Sequence, residues 1–125
     1  MSPLLFFAVS VAGGLGASSR FILDGLIRSR SSSSTPWATI SINVSGSFLL
    51  GLLTGFAASA ILPHVWLPIL GTGFLGGYTT FSTASVETVR LVVAKQWRSA
   101  VISGLGTLVV TTGAAWVGIV AGTAA

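Results

Sequence analysis

The sequence predicts an all-α membrane protein with four transmembrane helices, of which the third is broken near its middle. Of the 125 residues, 52% are hydrophobic and only 6% are charged, and the mean hydropathy is +0.93. Four apolar runs, at about 4–26, 37–62, 65–93 and 99–122, each meet the roughly 20 residues needed to cross a bilayer. Little chain remains between the runs, so residues 1–125 are predicted to form a single transmembrane domain.

The first run is expected to be a retained helix, because no Lys or Arg precedes Arg20 to form the basic start of a signal peptide. Near its end, Arg20 and Asp24 are one helical turn apart, which predicts an ion pair that lowers the cost of burying both charges. A structural role is predicted for Asp24. The fixed positive charge of Arg20 can also attract an anion toward a vestibule.

The second run carries two polar residues on one stripe, Thr39 and Asn43, spaced four apart. A threonine hydroxyl can bond to the carbonyl four residues earlier in its own helix. The amide of Asn43 cannot be satisfied in that way alone. A functional or interhelical role is therefore favoured for Asn43.

The third run is interrupted by glycine, hydroxyl and aromatic residues between Gly71 and Thr83. Irregular backbone is tolerated within a bilayer only where it is buried in protein or lines a polar cavity. The interruption therefore indicates ion transport. Beyond it, Thr80, Thr83 and Glu87 share one helical face, and Glu87 is expected either to relay protons or to bond to the freed backbone groups.

Hydroxyls repeat every four residues on the fourth run, at Ser99, Ser103, Thr107 and Thr111. Together with the stripes on the second and third runs, they give three polar lines inside apolar helices. Polar residues within membrane helices are costly and tend to mark packing contacts or ion pathways.

Glycine pairs spaced four apart occur in three of the four runs. Such small-residue pairs let helix backbones approach closely in lipid. The pairs are Gly51 and Gly55, Gly73 and Gly77, and Gly118 and Gly122. They predict close packing between helices, and they favour this general role over that of a specific dimer interface.

Basic residues are distributed unevenly among the connections. The second connection and the two termini contain no Lys or Arg, only His64. The five basic residues in or beside the first and third connections are Arg28, Arg30, Arg90, Lys95 and Arg98. Because cytoplasmic loops are enriched in Lys and Arg, both termini are predicted to lie outside the cell.

Composition also argues against several function classes. The chain has no cysteine, which excludes disulfides and thiolate metal sites. No nucleophile, base and orienting acid are placed so that they could converge, so the chain is not expected to be an enzyme. The net charge of +4 lies beside apolar runs, where it sets topology, and no nucleic-acid partner is expected.

Motifs on the first three runs resemble the Fluc (CrcB) family of fluoride channels. They are Gly13-Gly14-Leu15-Gly16-Ala17-Ser18-Ser19-Arg20, then Pro36 with Thr39 and Asn43-Val44-Ser45-Gly46-Ser47, and Gly76-Gly77-Tyr78-Thr79-Thr80-Phe81-Ser82-Thr83 with Glu87. The last of these is the most specific.

The resemblance implies a passive channel of the cell membrane that exports fluoride from the cytoplasm and reduces its toxicity. It further implies an antiparallel dimer, surrounded by membrane lipid, with two fluoride pathways lined by both chains. A structural sodium ion would be held at the break by the backbone carbonyls of Gly76 and Thr79. Arg20 and Glu87 would have structural or vestibule roles. The residues expected along the fluoride pathway are Thr39, Asn43, Phe81, Ser82, Thr83 and Thr107.

The sequence departs from the family's pattern at Ala84 and on the fourth run. The second pore phenylalanine of the family is Ala84 here, which removes half of this chain's aromatic contribution. The family's fourth-helix tyrosine and serine align with Ser103 and Thr107. One of the two pathways in a dimer could then be impaired or altered.

The charge bias favours a heterodimer over a homodimer. A chain that inserts in both orientations should have nearly balanced Lys and Arg, whereas here all five loop-associated basic residues lie on one side. An oppositely oriented homologous partner is therefore expected, and two-gene members of the family exist. A non-conducting scaffold subunit and a four-helix proton-coupled exporter are the alternatives, and the exporter requires an acid deep in the first helix.

Overall fold

All regular secondary structure of the protein is helical in the computed structural model, which describes residues 1–125. The first two runs form single α-helices, and each of the other two is a composite of α- and π-helical segments. The segments are α1 (Pro3–Ser29), α2 (Trp37–Ala58), π1 (Leu67–Leu75), α3 (Gly76–Tyr78), α4 (Phe81–Val93), α5 (Trp97–Val101), π2 (Ile102–Gly106) and α6 (Thr107–Ala124). The predicted all-α class is confirmed.

Three helices are long and apolar enough to cross a membrane, namely Pro3–Ser29, Trp37–Ala58 and Trp97–Ala124. The third run is divided between shorter helices. Thr79 and Thr80, between α3 and α4, have extended backbones with ψ angles of 160° and 122°. The chain is therefore a membrane protein whose third apolar run differs in construction from the other three.

Glycines bring α2 and α6 into the most extensive helix contact in the molecule. A Cβ on Gly51 would overlap the carbonyl of Ala115, and one on Gly118 would overlap that of Phe48. Gly55 and Gly122 face each other across the same contact. Because these backbones touch directly, the prediction that the glycine pairs pack helices is confirmed, and here the packing lies within one chain.

A second glycine contact joins α1 to the third run. A Cβ on Gly77 would overlap the carbonyl of Gly13, and a Cβ on Gly73 would lie 2.9 Å from that of Val9. The contact at Val9 and Gly73 is followed, four residues later on both segments, by the contact at Gly13 and Gly77. The α1 helix and the third run are therefore parallel. The contacts between α2 and α6 advance in the same way, which fits a chain that changes direction at each connection.

A small core lies between these two pairs, around Ile42, Leu75 and Tyr78. The ring of Tyr78 stacks on Phe74 with centroids 6.3 Å apart, and its hydroxyl lies 2.9 Å from Ser45 Oγ. This core fixes the end of α3 against α2. It thereby sets the position of the extended residues that follow.

Hydrogen bonds identify which connections share an end of the molecule. The Thr35 and Ser99 hydroxyls lie 2.8 Å apart, which joins the first connection to the start of α5. At the other end, Ser59 Oγ donates to the Gly122 and Thr123 carbonyls over 3.3 and 3.2 Å. The first and third connections therefore lie at one end, opposite the second connection and the C-terminus.

Two helices end in left-handed residues that are not glycine. Ala60 follows α2 with φ 59°, and Lys95 follows α4 with φ 58°. In both cases the residue and its successor bond back to the last helical turn, and this pattern defines the Schellman motif.

Candidate functional site

Asn43 on α2 holds the extended backbone between α3 and α4. Its Nδ2 donates to the Thr80 carbonyl, and its Oδ1 accepts from the Thr80 N–H, both over 2.8 Å. The amide thus replaces the acceptor that the Thr80 N–H would have in a regular helix, and it adds a second donor to the Thr80 carbonyl. The Thr80 hydroxyl in turn caps α4 by accepting from the Thr83 N–H over 3.2 Å.

The backbone carbonyls of residues 76–79 lose their usual helical donors in this arrangement, and for Gly76 and Thr79 the replacement bond of each donor is seen. In a continuous helix the Thr80 N–H would bond to the Gly76 carbonyl, but here it bonds to Asn43. The Thr83 N–H would likewise reach the Thr79 carbonyl, but it bonds to Thr80 Oγ1. The carbonyls of Gly76 and Thr79 are therefore released from the helical ladder at one place in the fold.

A groove of about 810 Å³ begins at this place. It is bounded by α2, the third run, α4 and the start of the fourth run. Phe81, with 88% of its surface exposed, lies at the rim. The lining residues with polar side chains include Asn43, Ser47, Thr80, Ser85, Thr88 and Thr107.

The hydroxyls of the groove differ in whether they can donate to a ligand. Thr88 Oγ1 donates to the Ala84 carbonyl over 2.8 Å and also contacts Ser103 Oγ, and Thr107 Oγ1 donates to the Ile102 carbonyl over 3.3 Å. The side chains of Ser47 and Ser85 make no hydrogen bond within the chain. Their hydroxyl hydrogens, and the second Nδ2 hydrogen of Asn43, are free to meet a ligand.

A smaller cavity, of about 210 Å³, lies on the opposite face of α4 and is lined by Arg20, Thr39 and Thr83. Thr80 lines both spaces. Arg20 Nε donates to the Gly77 carbonyl over 3.3 Å, so the guanidinium supports the end of α3. The predicted pathway residues are thus divided between two spaces: Asn43, Phe81 and Thr107 belong to the groove, while Thr39 and Thr83 belong to the cavity.

Both acids of the chain pair with one arginine. Arg28 Nε lies 2.9 Å from Asp24 Oδ2, and Arg28 Nη2 lies 3.0 Å from Glu87 Oε2. The expected pairing of Arg20 with Asp24 is wrong, because Arg28 is also one turn from Asp24 and reaches it instead. Glu87 also accepts a bond from the Thr39 hydroxyl, and it does not bond to freed backbone groups. While its hydrogen is held by Glu87, Thr39 cannot donate to an anion.

Ser82 is exposed on the outer surface of α4 and lines neither space. Sequence reasoning missed Ser47 and Ser85 as groove residues. The signal was present, because Ser47 follows Asn43 by four residues and Ser85 follows Phe81 by four, so each shares a helical face with a predicted site residue.

Comparison with known proteins identifies close relatives. A family model described as CrcB-like protein, Camphor Resistance (CrcB), matches residues 7–119. Fluoride-specific ion channel FluC 1 of Leifsonia xyli subsp. xyli is 54% identical over 119 residues, which cover 95% of this chain and 87% of that protein. Fluoride-specific ion channel FluC 2 of Cutibacterium acnes is 55% identical over 87 residues, which cover 66% of this chain and 68% of that protein.

A more distant relative extends the match. Fluoride-specific ion channel FluC of Magnetococcus marinus is 35% identical over 115 residues, which cover 91% of this chain and 94% of that protein. The named relatives are ion channels, in agreement with the expectation that this chain is not an enzyme. On the match over residues 7–119, and on 54% identity over nearly its full length, the chain belongs to the CrcB (FluC) family.

Proposed function

We propose that this chain is a subunit of a passive, fluoride-selective channel that exports fluoride from the cytoplasm and thereby reduces its toxicity. The observation that carries the proposal is the groove, lined in part by hydroxyl and amide side chains, that starts where Asn43 holds the extended backbone at Thr80. In this proposal the third run is a fourth transmembrane span, and its break lines the ion pathway. The fluoride-specific relatives support the choice of ion.

Fluoride is small and strongly hydrated, so a selective pathway must replace its water with hydrogen-bond donors. The groove offers the free hydroxyls of Ser47 and Ser85 and the second amide hydrogen of Asn43. Phe81 at the rim would present its positive ring edge to the anion. Thr39, Thr83 and Arg20 line the neighbouring cavity and would act as a vestibule beside this pathway.

The functional unit in this proposal is an antiparallel dimer with two pathways. Phe81 is 88% exposed, and the Ser82 hydroxyl is exposed beside it on a helix that would otherwise face lipid. A polar group facing hydrocarbon is costly. A second subunit seated over α4 would cover both side chains and close the groove, so that each pathway is lined by two chains.

A structural sodium ion would fit the carbonyls of Gly76 and Thr79. Both have lost their helical donors, and oxygen is the ligand that hard cations prefer. A cation there would satisfy carbonyls that are costly to leave unpaired in a membrane. The ion would stabilise the end of α3 rather than take part in conduction.

Efflux requires no pump in this scheme. Fluoride that enters as the neutral acid dissociates in the cytoplasm, and the membrane potential then drives the anion outward. The proposed location is the cell membrane, with both termini outside. The basic residues at the end shared by the first and third connections would face the cytoplasm.

Two variants of the proposal concern the partner subunit. The charge bias favours a heterodimer with an oppositely oriented homologue, and Ala84 in the groove wall makes a non-conducting or partly conducting role for this chain the main alternative. The proton-coupled exporter has no support in the structure, because Asp24, the only acid on α1, pairs with Arg28 near the helix end.

Fluoride efflux from liposomes that contain only this chain tests the proposal, with chloride as the comparison ion. Rapid, fluoride-selective efflux that is lost in Ser85→Ala is expected for a conducting homodimer. A folded but silent chain that conducts when co-expressed with an oppositely oriented homologue would identify the heterodimer. Silence in both preparations would reject the proposal that this chain forms part of a fluoride channel.

A further inference from the structure

Four cations at the end of the molecule that carries Arg28 have no acidic partner. The chain contains two acids, Asp24 and Glu87, and both form their ion pairs with Arg28. No carboxylate side chain therefore remains for the other basic residues at this end of the molecule. These exposed residues are Arg30, Arg90, Lys95 and Arg98.

Three of these cations gather where two connections meet. Arg30 lies in the first connection, and Lys95 and Arg98 lie in and just beyond the third. The hydrogen bond between Thr35 and Ser99 holds the two connections together over 2.8 Å. The positive charges are therefore concentrated at one end of the helices rather than spread over the surface.

Two exposed tryptophans lie at the same end. Trp37 begins α2 and Trp97 begins α5, and they are 43% and 60% exposed. Each is two residues from the hydroxyl that joins the connections, Thr35 or Ser99. Tryptophan is enriched where a membrane protein passes from hydrocarbon to headgroups, because its ring is apolar and its N–H is polar.

We propose that this end of the protein binds anionic phospholipid headgroups. Arg30, Lys95 and Arg98 bind the headgroup phosphates, and Trp37 and Trp97 anchor the same end at the headgroup level. We call these five residues the basic rim. Clusters of basic residues beside a transmembrane helix attract anionic lipid in this way.

A lipid fits the basic rim better than a soluble anion or an acidic protein does. The cations adjoin the ends of membrane-spanning helices, where headgroups are always present, and the tryptophans give the site an apolar component that free phosphate would not use. The opposite end lacks this combination: it has Trp66 and His64 but no Lys or Arg. The inference requires only that the protein spans a membrane, and it does not depend on fluoride conduction.

Thermal unfolding of the purified chain in lipid nanodiscs provides the test, with phosphatidylcholine alone compared against phosphatidylcholine mixed with phosphatidylglycerol. Native mass spectrometry of the detergent-solubilised chain would count the phosphatidylglycerol molecules retained. We expect a higher unfolding temperature with phosphatidylglycerol and retention of that lipid. In Arg30→Gln/Lys95→Gln/Arg98→Gln, the affinity for phosphatidylglycerol should fall by about fivefold for each charge removed.

Matched changes at the opposite end serve as controls. Trp66→Phe should retain the preference for phosphatidylglycerol, whereas Trp37→Phe/Trp97→Phe should weaken it. A parent chain with no preference between the two lipids would overturn the proposal, and this measurement needs no variant to fold. It would also be overturned by a triple variant that keeps the full preference, or by inorganic phosphate that stabilises the chain as well as the lipid does.

Discussion

The contact between α2 and α6 and the attachment of α4 are two different ways of holding a helix in this protein. Between α2 and α6, glycines on both helices let the backbones touch along several turns. By contrast, α4 buries only Leu91 and is linked to its neighbours by polar bonds from Thr80, Glu87 and Thr88. One contact depends on shape, and the other depends on individual donors and acceptors.

This difference separates the scaffold from the candidate site. Closely packed backbones have one arrangement and tolerate no added volume, so α2 and α6 form a fixed frame. Along α4, Phe81, Val89 and Val93 are 88%, 60% and 76% exposed, and the groove lies along the same helix. Both the proposed ion pathway and the surface for a second subunit are thus on a helix of which the chain itself buries only one residue.

The largest expected effect on folding is at the glycine contact. In Gly118→Ala, the new methyl group would overlap the Phe48 carbonyl and lie 2.8 Å from the Leu52 nitrogen, so the helices must separate. Overpacking of this kind costs about 1–3 kcal/mol. Gly113→Ala on the same helix meets nothing within 4 Å and should gain up to about 1 kcal/mol from helix propensity. The unfolding free energy of each variant in detergent is the measurement. If Gly118→Ala and Gly113→Ala change it in the same direction, the glycine contact does not restrict α6.

Removing the amide at the break should have the next largest effect. Asn43→Ala leaves the N–H of Thr80 without an acceptor and removes the side-chain donor to its carbonyl, which costs about 1–3 kcal/mol if the N–H stays dry. Ser47→Ala lies one turn further along the same groove wall and breaks no bond within the chain. The unfolding free energy should therefore fall only in the Asn43 variant, while fluoride flux should fall in both. Equal stability of the two variants would mean that Asn43 does not hold the break.

The ion pairs of Arg28 should contribute less. Its side chain is 45% exposed, and exposed pairs are worth about 0.2–1 kcal/mol each. Arg28→Gln should therefore lower the unfolding free energy by about 1 kcal/mol in total. Arg30→Gln, which removes a cation without an acidic partner, should have no effect in neutral detergent. Added salt should lower the unfolding free energy of the parent chain but not that of the Arg28 variant. The same salt dependence in both chains would argue against a stabilising role for these ion pairs.

The smallest effects are expected at the left-handed helix ends. A residue with a Cβ pays about 1–2 kcal/mol in this conformation, whereas glycine pays none but loses more entropy on folding, about 0.4–1 kcal/mol. Ala60→Gly and Lys95→Gly should therefore each stabilise the chain slightly. Ala58→Gly, in the last turn of α2, should instead destabilise it. The unfolding free energy of each variant measures these effects. An Ala58→Gly variant that is more stable than Ala60→Gly would contradict this interpretation of the helix ends.

The polar stripe on the fourth run shows how far the sequence could predict the site. Residues four apart drift by about 40° per step around a regular α-helix, so Ser103, Thr107 and Thr111 should diverge from one line. All three nevertheless line the groove, because the π-helical segment π2 adds residues to the turn and reduces this drift. Spacing predicted that these hydroxyls share one face of the fourth run, but the local helix type that aligns them could not be predicted from it.

Ion pairing shows the opposite case. Spacing allowed Asp24 to pair with Arg20 or with Arg28, since each is four residues away. The choice depends on Glu87, which is distant in sequence and reaches Arg28 but not Arg20. Arg20 instead supports the Gly77 carbonyl. A partner on another helix decided between two local options that were equivalent in sequence.

By itself, the sequence determined the membrane class, the four apolar runs, the glycines that pack helices and the family. Each of these follows from composition or local spacing, because lipid imposes the same length and polarity on any span. Tertiary structure alone decided that Asn43 bonds to Thr80, that Thr39 gives its hydrogen to Glu87, and that the predicted pathway residues are divided between two spaces. Those facts depend on which groups meet across helices, and a polar group can be satisfied by any donor or acceptor that the packing brings within reach.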